Sequence, residues 1–401
     1  MNRKITLAVT ALLFTQTLWG EDLASMFKSA KVSGELRSIY MQIDEDNAAD
    51  SYATAVGGML KYELAPYQGL SAAVALRTTD NISGLSGEGD EYNSELSGED
   101  KYYYQLSEAY VSYKYKQLLV VFGRQSIDTP LADSDDIRMI PNSFEAYTAT
   151  YSSDTLSITA GHFDRWQGVD AGLESGWSST GEYGATYTGL TYEGGIFKVN
   201  GWYYNFSNPR ESEVADGADT NANDTYYTDV ELGIEDQGVK LTMALQYLKQ
   251  VEDDKSGVEA EIYGASTTLE AGDFELGLSY DESAKKANKH SFSGYGGGTL
   301  FAGMDVMILD EITEDRKASS WVASLSYQLK DLNLFYAYGD FKGDANSAGE
   351  EAHIIEHNAG FEYESGEFSL MGIYVLNENK EDSSSSEFNN NNFRAVMAYK
   401  F

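Results

Sequence analysis

The stretch from Val239 to Tyr247 reads Val-Lys-Leu-Thr-Met-Ala-Leu-Gln-Tyr, with an apolar or aromatic residue at every second position. Successive side chains of a β-strand point to opposite faces, so this spacing predicts a strand with one apolar and one more polar face. The final residues, Phe393 to Phe401, repeat the pattern: Phe, Ala, Met, Tyr and Phe alternate with Arg, Val, Ala and Lys. The decisive signal is therefore strand periodicity.

Alternation of this kind recurs along the whole chain. We identify eighteen such segments. They begin near residues 32, 52, 69, 102, 118, 143, 155, 184, 196, 225, 239, 258, 274, 318, 332, 353, 367 and 391.

The gaps between the segments alternate between short and long. Lys116–Gln117 is one of eight short gaps, whereas residues 80–101 form one of nine long ones. The pattern predicts an all-β fold: a transmembrane antiparallel β-barrel of about 18 strands with short periplasmic turns and long extracellular loops. A soluble β-sandwich also alternates. Tyr and Trp near the ends of the apolar faces, and Gly, Ser and Thr on the polar faces, favour the membrane barrel.

Composition excludes several classes of protein. The 401 residues include no Cys, so a disulfide-stapled domain and a Cys-ligated metal site are ruled out. Lys and Arg total 28 against 64 Asp and Glu, a net charge of −36, which repels the phosphates of a nucleic acid. The sequence therefore indicates no nucleic-acid partner.

Residues 1–20 are interpreted as a secretory signal peptide. Arg3 and Lys4 precede the apolar stretch Ile5–Trp19, and Gly20 is a small residue suited to cleavage. The stretch is too short to span a bilayer comfortably. We therefore expect export and a mature barrel over residues 21–401.

Three stretches carry a family resemblance. The alternating C-terminus that ends at Phe401 resembles the assembly signal of Gram-negative outer-membrane barrels. Residues 122–146, Phe-Gly-Arg-Gln-Ser-Ile-Asp-Thr-Pro-Leu-Ala-Asp-Ser-Asp-Asp-Ile-Arg-Met-Ile-Pro-Asn-Ser-Phe-Glu-Ala, resemble the third-loop region of the OprD-type porin family, and residues 31–37 resemble its first strand. The resemblance implies an eighteen-stranded outer-membrane channel for small hydrophilic solutes, with the third loop, 126–142, and the seventh, 282–317, folded inward.

Inside such a barrel we expect a zone of opposed charges. Residues opposite the apolar faces of the first five strands and the last strand supply a basic wall, while acids such as Asp229 and Glu356 face inward elsewhere. The wall comprises Arg37, Lys61, Arg77, Lys114 and Arg124, together with Arg394 and Lys400 of the last strand. Inward charges also serve simply to keep a channel wet, and the sequence leaves both interpretations open.

The third loop is the expected constriction. Pro130 and Pro141 bound it, and proline stiffens a chain by restricting φ. A stiff acidic loop against a basic wall would create a transverse field that selects solutes by charge and size. The constriction residues are predicted to be Arg124, Asp128, Asp133, Asp135, Asp136 and Arg138, with the two arginines facing solute carboxylates.

Motifs that suggest enzymes are weak. His353-Ile-Ile-Glu-His357 fits a zinc pattern that requires a helix, but it leads into an alternating segment. On a strand, residues four apart lie roughly 13 Å apart and do not share a metal. We predict no catalytic residue, metal or cofactor.

The sequence thus predicts a passive outer-membrane porin for amino acids, carboxylates or ions. The expected partners are the lipid bilayer, lipopolysaccharide, the barrel assembly machinery and small hydrophilic solutes. A monomer and a trimer both remain open. The alternatives are a barrel hydrolase, which would use a rim histidine such as His162, and an adhesin or structural barrel.

Overall fold

A computed structural model describes residues 20–45, 49–173, 176–208, 221–381 and 389–401. The chain begins there with a short helix, α1 (Gly20–Lys28), and continues almost entirely as strands. They are β1 (Lys31–Glu45), β2 (Ser51–Glu63), β3 (Leu70–Asn81), β4 (Tyr102–Tyr115), β5 (Leu118–Gln125), β6 (Ser143–Ser152), β7 (Leu156–Gln167), β8 (Ser178–Ser179), β9 (Ala185–Gly194), β10 (Phe197–Phe206), β11 (Asn223–Asp236), β12 (Val239–Glu252), β13 (Ala260–Ala271), β14 (Phe274–Ser283), β15 (Ala318–Leu329), β16 (Leu332–Gly343), β17 (Ala352–Ser365), β18 (Phe368–Asn379) and β19 (Asn390–Lys400).

These strands form one closed antiparallel sheet. Each long strand pairs with its sequence neighbours, and β19 returns to β1 with Leu36 opposite Tyr399. The two-residue β8 pairs only with the end of β7, beyond the point where β9 pairs with it. The barrel wall therefore has eighteen strands, as predicted, and every predicted segment starts within a few residues of its strand.

The two ends of the barrel differ in their connections. One end carries tight turns such as residues 237–238, where Gln237 and Gly238 both have positive φ (50° and 81°). Positive φ at both central residues suits the right-handed twist of a two-residue hairpin. The other end carries longer connections, including 82–101, 126–142, 168–184 and 284–317. Within the described residues no helix is both long and apolar enough to cross a membrane.

Alternation sorts the side chains between the two faces of the wall. In β12, Leu245 is 66% exposed on the outer face, whereas its neighbour Gln246 is 5% exposed on the inner face. Exposed aromatic rings form a girdle near each rim of the outer face, as in membrane barrels. The girdles include Phe122, Tyr147, Tyr226, Tyr263, Tyr280 and Tyr374 near the long loops, and Tyr113, Tyr151, Tyr192, Phe274 and Tyr399 near the short turns.

The inner face is not uniformly wet. Loop residues Leu131, Tyr295 and Met307 pack in one apolar cluster with inward aromatic rings such as Phe144 and Tyr204. A second cluster joins Leu96, Met139 and Ile140, from two loops, to Ile39 and Met41 of β1. Burying these side chains removes apolar surface from water, and the long loops therefore pack against the inside of the wall.

The predicted signal peptide lies almost entirely outside the described residues, which begin at Gly20.

Candidate functional site

The 126–142 loop contacts opposite sides of the barrel. Asp136 forms an ion pair with Arg37 of β1, with 2.7 Å between Oδ1 and Nη1. Asp128, Asp133 and Asp135 line a cavity of about 520 Å³ together with Asn200 of β10 and Asp229 of β11. β1 and β10 lie half a circuit apart in the strand order. The loop therefore crosses the interior between a basic and an acidic side.

Arg37 is the centre of the basic side. Its guanidinium binds Asp136 through both terminal nitrogens, at 2.7 and 3.2 Å, and donates to the carbonyl oxygen of Arg138. Its Nε lies 2.6 Å from Glu35. Arg77 stands beside this pair, 3.9 Å from Asp136, and its Nη1 has no hydrogen-bond partner among the described residues. Arg77 is thus a partly buried cation whose charge is only partly balanced by its neighbours.

Three further bases of the predicted wall also face inward: Lys61, Lys114 and Arg394. Lys61 pairs with Glu108 at 2.5 Å and lies 5.4 Å from the centre of the Tyr110 ring. Lys114 is exposed near the short-turn end of β4. Strand register places Arg394 opposite Met41, nearer the loops than Arg37. The bases therefore descend along the wall in the order Arg394, Arg37 with Arg77, Lys61 and Lys114.

Burial perturbs the carboxylates of the acidic side. Burial raises the pKa of Asp133. Burial, followed by the neighbouring Asp170 carboxylate, raises the pKa of Asp135 to about 7. Asp128 accepts hydrogen bonds from the backbone N–H and the hydroxyl of Ser134. These side chains share their cavity with the ring of Trp202, so the cavity offers negative charge beside an aromatic surface.

The 284–317 loop is fastened to the inner face by buried carboxylates. Glu356 accepts hydrogen bonds from the backbone N–H groups of Val306 and Met307 at 3.2 and 2.7 Å. Asp281 accepts from the N–H of Ala302 at 2.6 Å, and Asp305 pairs with Arg394 at 2.6 Å. Alternation predicts that Glu356 faces inward, but no sequence spacing links it to a loop that lies about fifty residues earlier.

Arg138 faces a partner that sequence reasoning missed. Its Nη2 lies 3.0 Å from Glu95, which belongs to the 82–101 connection. Both line a chamber of about 300 Å³ with Arg394, Asp305 and Asn392. Two ion pairs thus line the chamber, Arg138 with Glu95 and Arg394 with Asp305.

Arg124 requires a correction. It lies opposite Glu145 of β6, two residues along from the exposed, stacked pair Phe122 and Tyr147, and so shares their outer face. It belongs to neither the constriction nor the inner wall. The segment Leu118–Phe122 is apolar at every position, so its own periodicity does not define which face points outward.

One family model matches the chain, and solved structures share its fold. A family model described as "outer membrane porin, OprD family" matches residues 25–401. The structure is similar to that of Acinetobacter baumannii OccAB4, with a TM-score of 0.77, 16% identity and coverage of 93% of this chain and 98% of that one. The structure of Pseudomonas aeruginosa OccK9 (OpdG) is also similar, with a TM-score of 0.78, 15% identity and coverage of 94% of this chain and 99% of that one. The structure of Pseudomonas aeruginosa OpdK with vanillate has a TM-score of 0.75 and 15% identity, and the match covers 94% of this chain and 99% of that one. A search of curated proteins finds no match.

Proposed function

The chain belongs to the OprD family of outer-membrane porins, and on that premise we propose that it passes small hydrophilic solutes that carry charge, chiefly zwitterions and carboxylates. It is a β-barrel channel of the outer membrane, in contact with the bilayer and with its solutes. The proposal concerns which solutes it prefers and how it distinguishes them.

The observation that carries the proposal is the course of the 126–142 loop. It joins the Arg37 and Arg77 side to the cavity that Asp133 and Asp135 line. A solute that passes this loop meets cations on one hand and carboxylates on the other. Opposed charges at close range favour solutes with a matching dipole, because a narrow pore screens these fields less than bulk water does.

Planar-bilayer conductance and a liposome-swelling panel test this proposal. We expect discrete open-channel currents, and faster swelling with amino acids and monocarboxylates than with uncharged sugars of equal size. Vanillate, the compound named with the OpdK structure, is a suitable aromatic carboxylate for the panel. Equal swelling rates for charged and uncharged solutes would overturn the proposed selectivity. Absence of current would overturn the channel itself.

We also propose that the barrel does no chemistry, although one arrangement resembles a hydrolase. His162 lies on the outer face, 2.8 Å from the Thr186 hydroxyl and 3.1 Å from Asp164. Acyl transfer needs N–H groups free to stabilise an oxyanion. Here β9 pairs with β7 on one edge and with β10 on the other, so the backbone N–H groups around Thr186 donate to neighbouring strands and are not free to bind an oxyanion. Release of fatty acid from phospholipid by the purified barrel, abolished by Thr186→Ala, would contradict this proposal.

The remaining partners are proposals as well. Phe401 exchanges two backbone hydrogen bonds with Gly34, at 2.9 and 3.0 Å, where the sheet closes. We propose that the assembly machinery recognises the segment that ends there and that lipopolysaccharide surrounds the outer rim. Deletion of Phe401 should leave unassembled protein in the periplasm, detected by the loss of heat-modifiable barrel. The oligomeric state stays open between monomer and trimer.

A further inference from the structure

Three charged residues form a row across the outer face near the long-loop rim. Arg124 of β5 lies opposite Glu145 of β6, which lies opposite Arg165 of β7. The Glu145 carboxylate accepts from Nε of Arg124 at 3.1 Å and from Nε of Arg165 at 2.9 Å. It also binds Nη2 of Arg165. One carboxylate thus holds two guanidinium groups side by side, and the row keeps one excess positive charge.

Trp177 covers this row. Its ring centre lies 4.6 Å from the Arg124 guanidinium carbon and 6.0 Å from that of Arg165. Cation–π stacking restrains both planar groups. The described residues provide no acceptor for either terminal nitrogen of Arg124 or for Nη1 of Arg165. The side chains are 29% and 47% exposed, so these donors are available to a ligand outside the barrel.

The row lies at the level of lipid headgroups. Phe122 and Tyr147 occupy the next outward-facing layer toward the short turns, and their rings stack at 6.3 Å. Aromatic girdles mark the boundary between hydrocarbon and headgroups. Two residues further along a strand is about 7 Å, which places the arginines just beyond that boundary.

We propose that Arg124 and Arg165 bind a phosphate of lipid A, the phosphorylated lipid of lipopolysaccharide, in the outer leaflet. Guanidinium groups match phosphate oxygens in planar, bidentate geometry, and this pair is held in place by Glu145 and Trp177. The nearby Asp164 carboxylate is directed to His162, at 3.1 Å. The inference depends on the outer-membrane location of the barrel and not on which solutes it passes.

Lipid A binding to the detergent-solubilised barrel tests the inference, with native mass spectrometry as the readout. We expect Arg124→Gln with Arg165→Gln to weaken binding at least tenfold, as the loss of charge-assisted hydrogen bonds requires. Lipid A stripped of its phosphates should bind the unaltered barrel as weakly. The matched control is Lys249→Gln, an exposed outer-face cation of β12 beside Tyr247, which should change affinity by less than about twofold.

Two controls accompany the binding measurement: a double Arg→Lys variant and a competition with inorganic phosphate. The double Arg→Lys variant retains charge and should bind more tightly than the double Gln variant, while single-channel conductance verifies that each variant forms a barrel. Inorganic phosphate at millimolar concentration should not displace lipid A, because phosphate has no acyl chains to contact the apolar outer face beside the row. Unchanged affinity in the double Gln variant, equal binding of phosphate-free lipid A, or displacement by inorganic phosphate would each overturn the proposal. None of these outcomes alters the test of solute selectivity.

Discussion

The inner and outer faces of the barrel wall each hold an arginine paired with a carboxylate, Arg37 on the inner face and Arg124 on the outer face. Arg37 is 7% exposed on the inner face and meets Asp136, 99 residues away along the chain. Arg124 is on the outer face and meets Glu145 on the adjacent strand. Each arginine has a carboxylate partner. The first pair ties a loop across the interior, whereas the second leaves both terminal nitrogens of Arg124 without an acceptor among the described residues.

The difference between these two pairs shows that the role of an arginine depends on the face of the wall that carries it, because the residue type is the same in both. Charges in a confined interior interact strongly because little mobile salt separates them. An exposed ion pair typically contributes less than about 1 kcal/mol. We therefore expect inner pairs to control loop position and solute passage, and outer pairs to affect the lipid contact with little effect on stability.

The largest expected effect comes from a charge placed on the outer face at mid-height. Met243 lies midway between the two aromatic girdles on the outer face of β12. Met243→Arg should destabilise the barrel by about 2–4 kcal/mol, because the lipid interior solvates a guanidinium poorly. Lys240→Ala, on the inner face of the same strand, should be nearly neutral, because the ion pair of Lys240 with Glu270 is exposed to water. Urea unfolding in vesicles measures both, and equal effects would show that the assigned faces are wrong.

The next effect concerns the fastening of the 126–142 loop. Arg37→Gln removes charge-assisted hydrogen bonds to Asp136, with an expected cost of about 1.5–3 kcal/mol to the closed loop. The loop should then leave the basic side more often, raising single-channel conductance and current noise. Lys114→Gln, also an inner-face cation but an exposed one near the short turns, serves as the control. A conductance unchanged by Arg37→Gln would disprove this anchoring role.

Arg138 and Arg124 give the sharpest test of the comparison itself. Arg138→Gln removes an inner cation that lines the chamber with Glu95, and should raise relative cation permeability about fivefold, equivalent to about 1 kcal/mol. Arg124→Gln should leave the reversal potential unchanged, because its charge lies outside the wall. Reversal potentials across a salt gradient separate the two variants. A shift of the reversal potential in Arg124→Gln alone would contradict the outer-face assignment and would show that Arg124 contacts the solute pathway.

We expect the smallest change when the pH is varied, in the stability of the 126–142 loop and in the cation preference of the channel. The pKa of Asp135 is raised to about 7 by burial and then by Asp170, so the folded loop retains a proton that an unfolded chain releases near pH ~4. This contribution to loop stability is fully present below pH ~4 and is lost as pH rises through about 7. The extra negative charge should also raise cation preference about twofold over the same rise. Asp135→Asn should flatten both responses, which conductance measured from pH ~5 to ~9 would detect.

Much of the architecture is readable from local pattern. Period-two alternation in segments such as Val239–Tyr247 determined that the chain forms strands and which side chains share a face. The count of eighteen strands, the division into short turns and long connections, and the inward direction of Arg37, Lys61 and Arg77 all follow from that periodicity. These features are predictable because each depends on residues only a few positions apart.

The candidate site required the tertiary structure. Leu118–Phe122 has no polar face of its own, so only pairing with β4 and β6 decided that Arg124 points outward. Closure of the sheet brought Asp136 to Arg37 and the 284–317 loop to Glu356, across gaps in sequence that carry no spacing signal. The physical reason is one of range. Strand periodicity is local, whereas loop contacts depend on where a closed wall of eighteen strands places residues that are far apart in the chain.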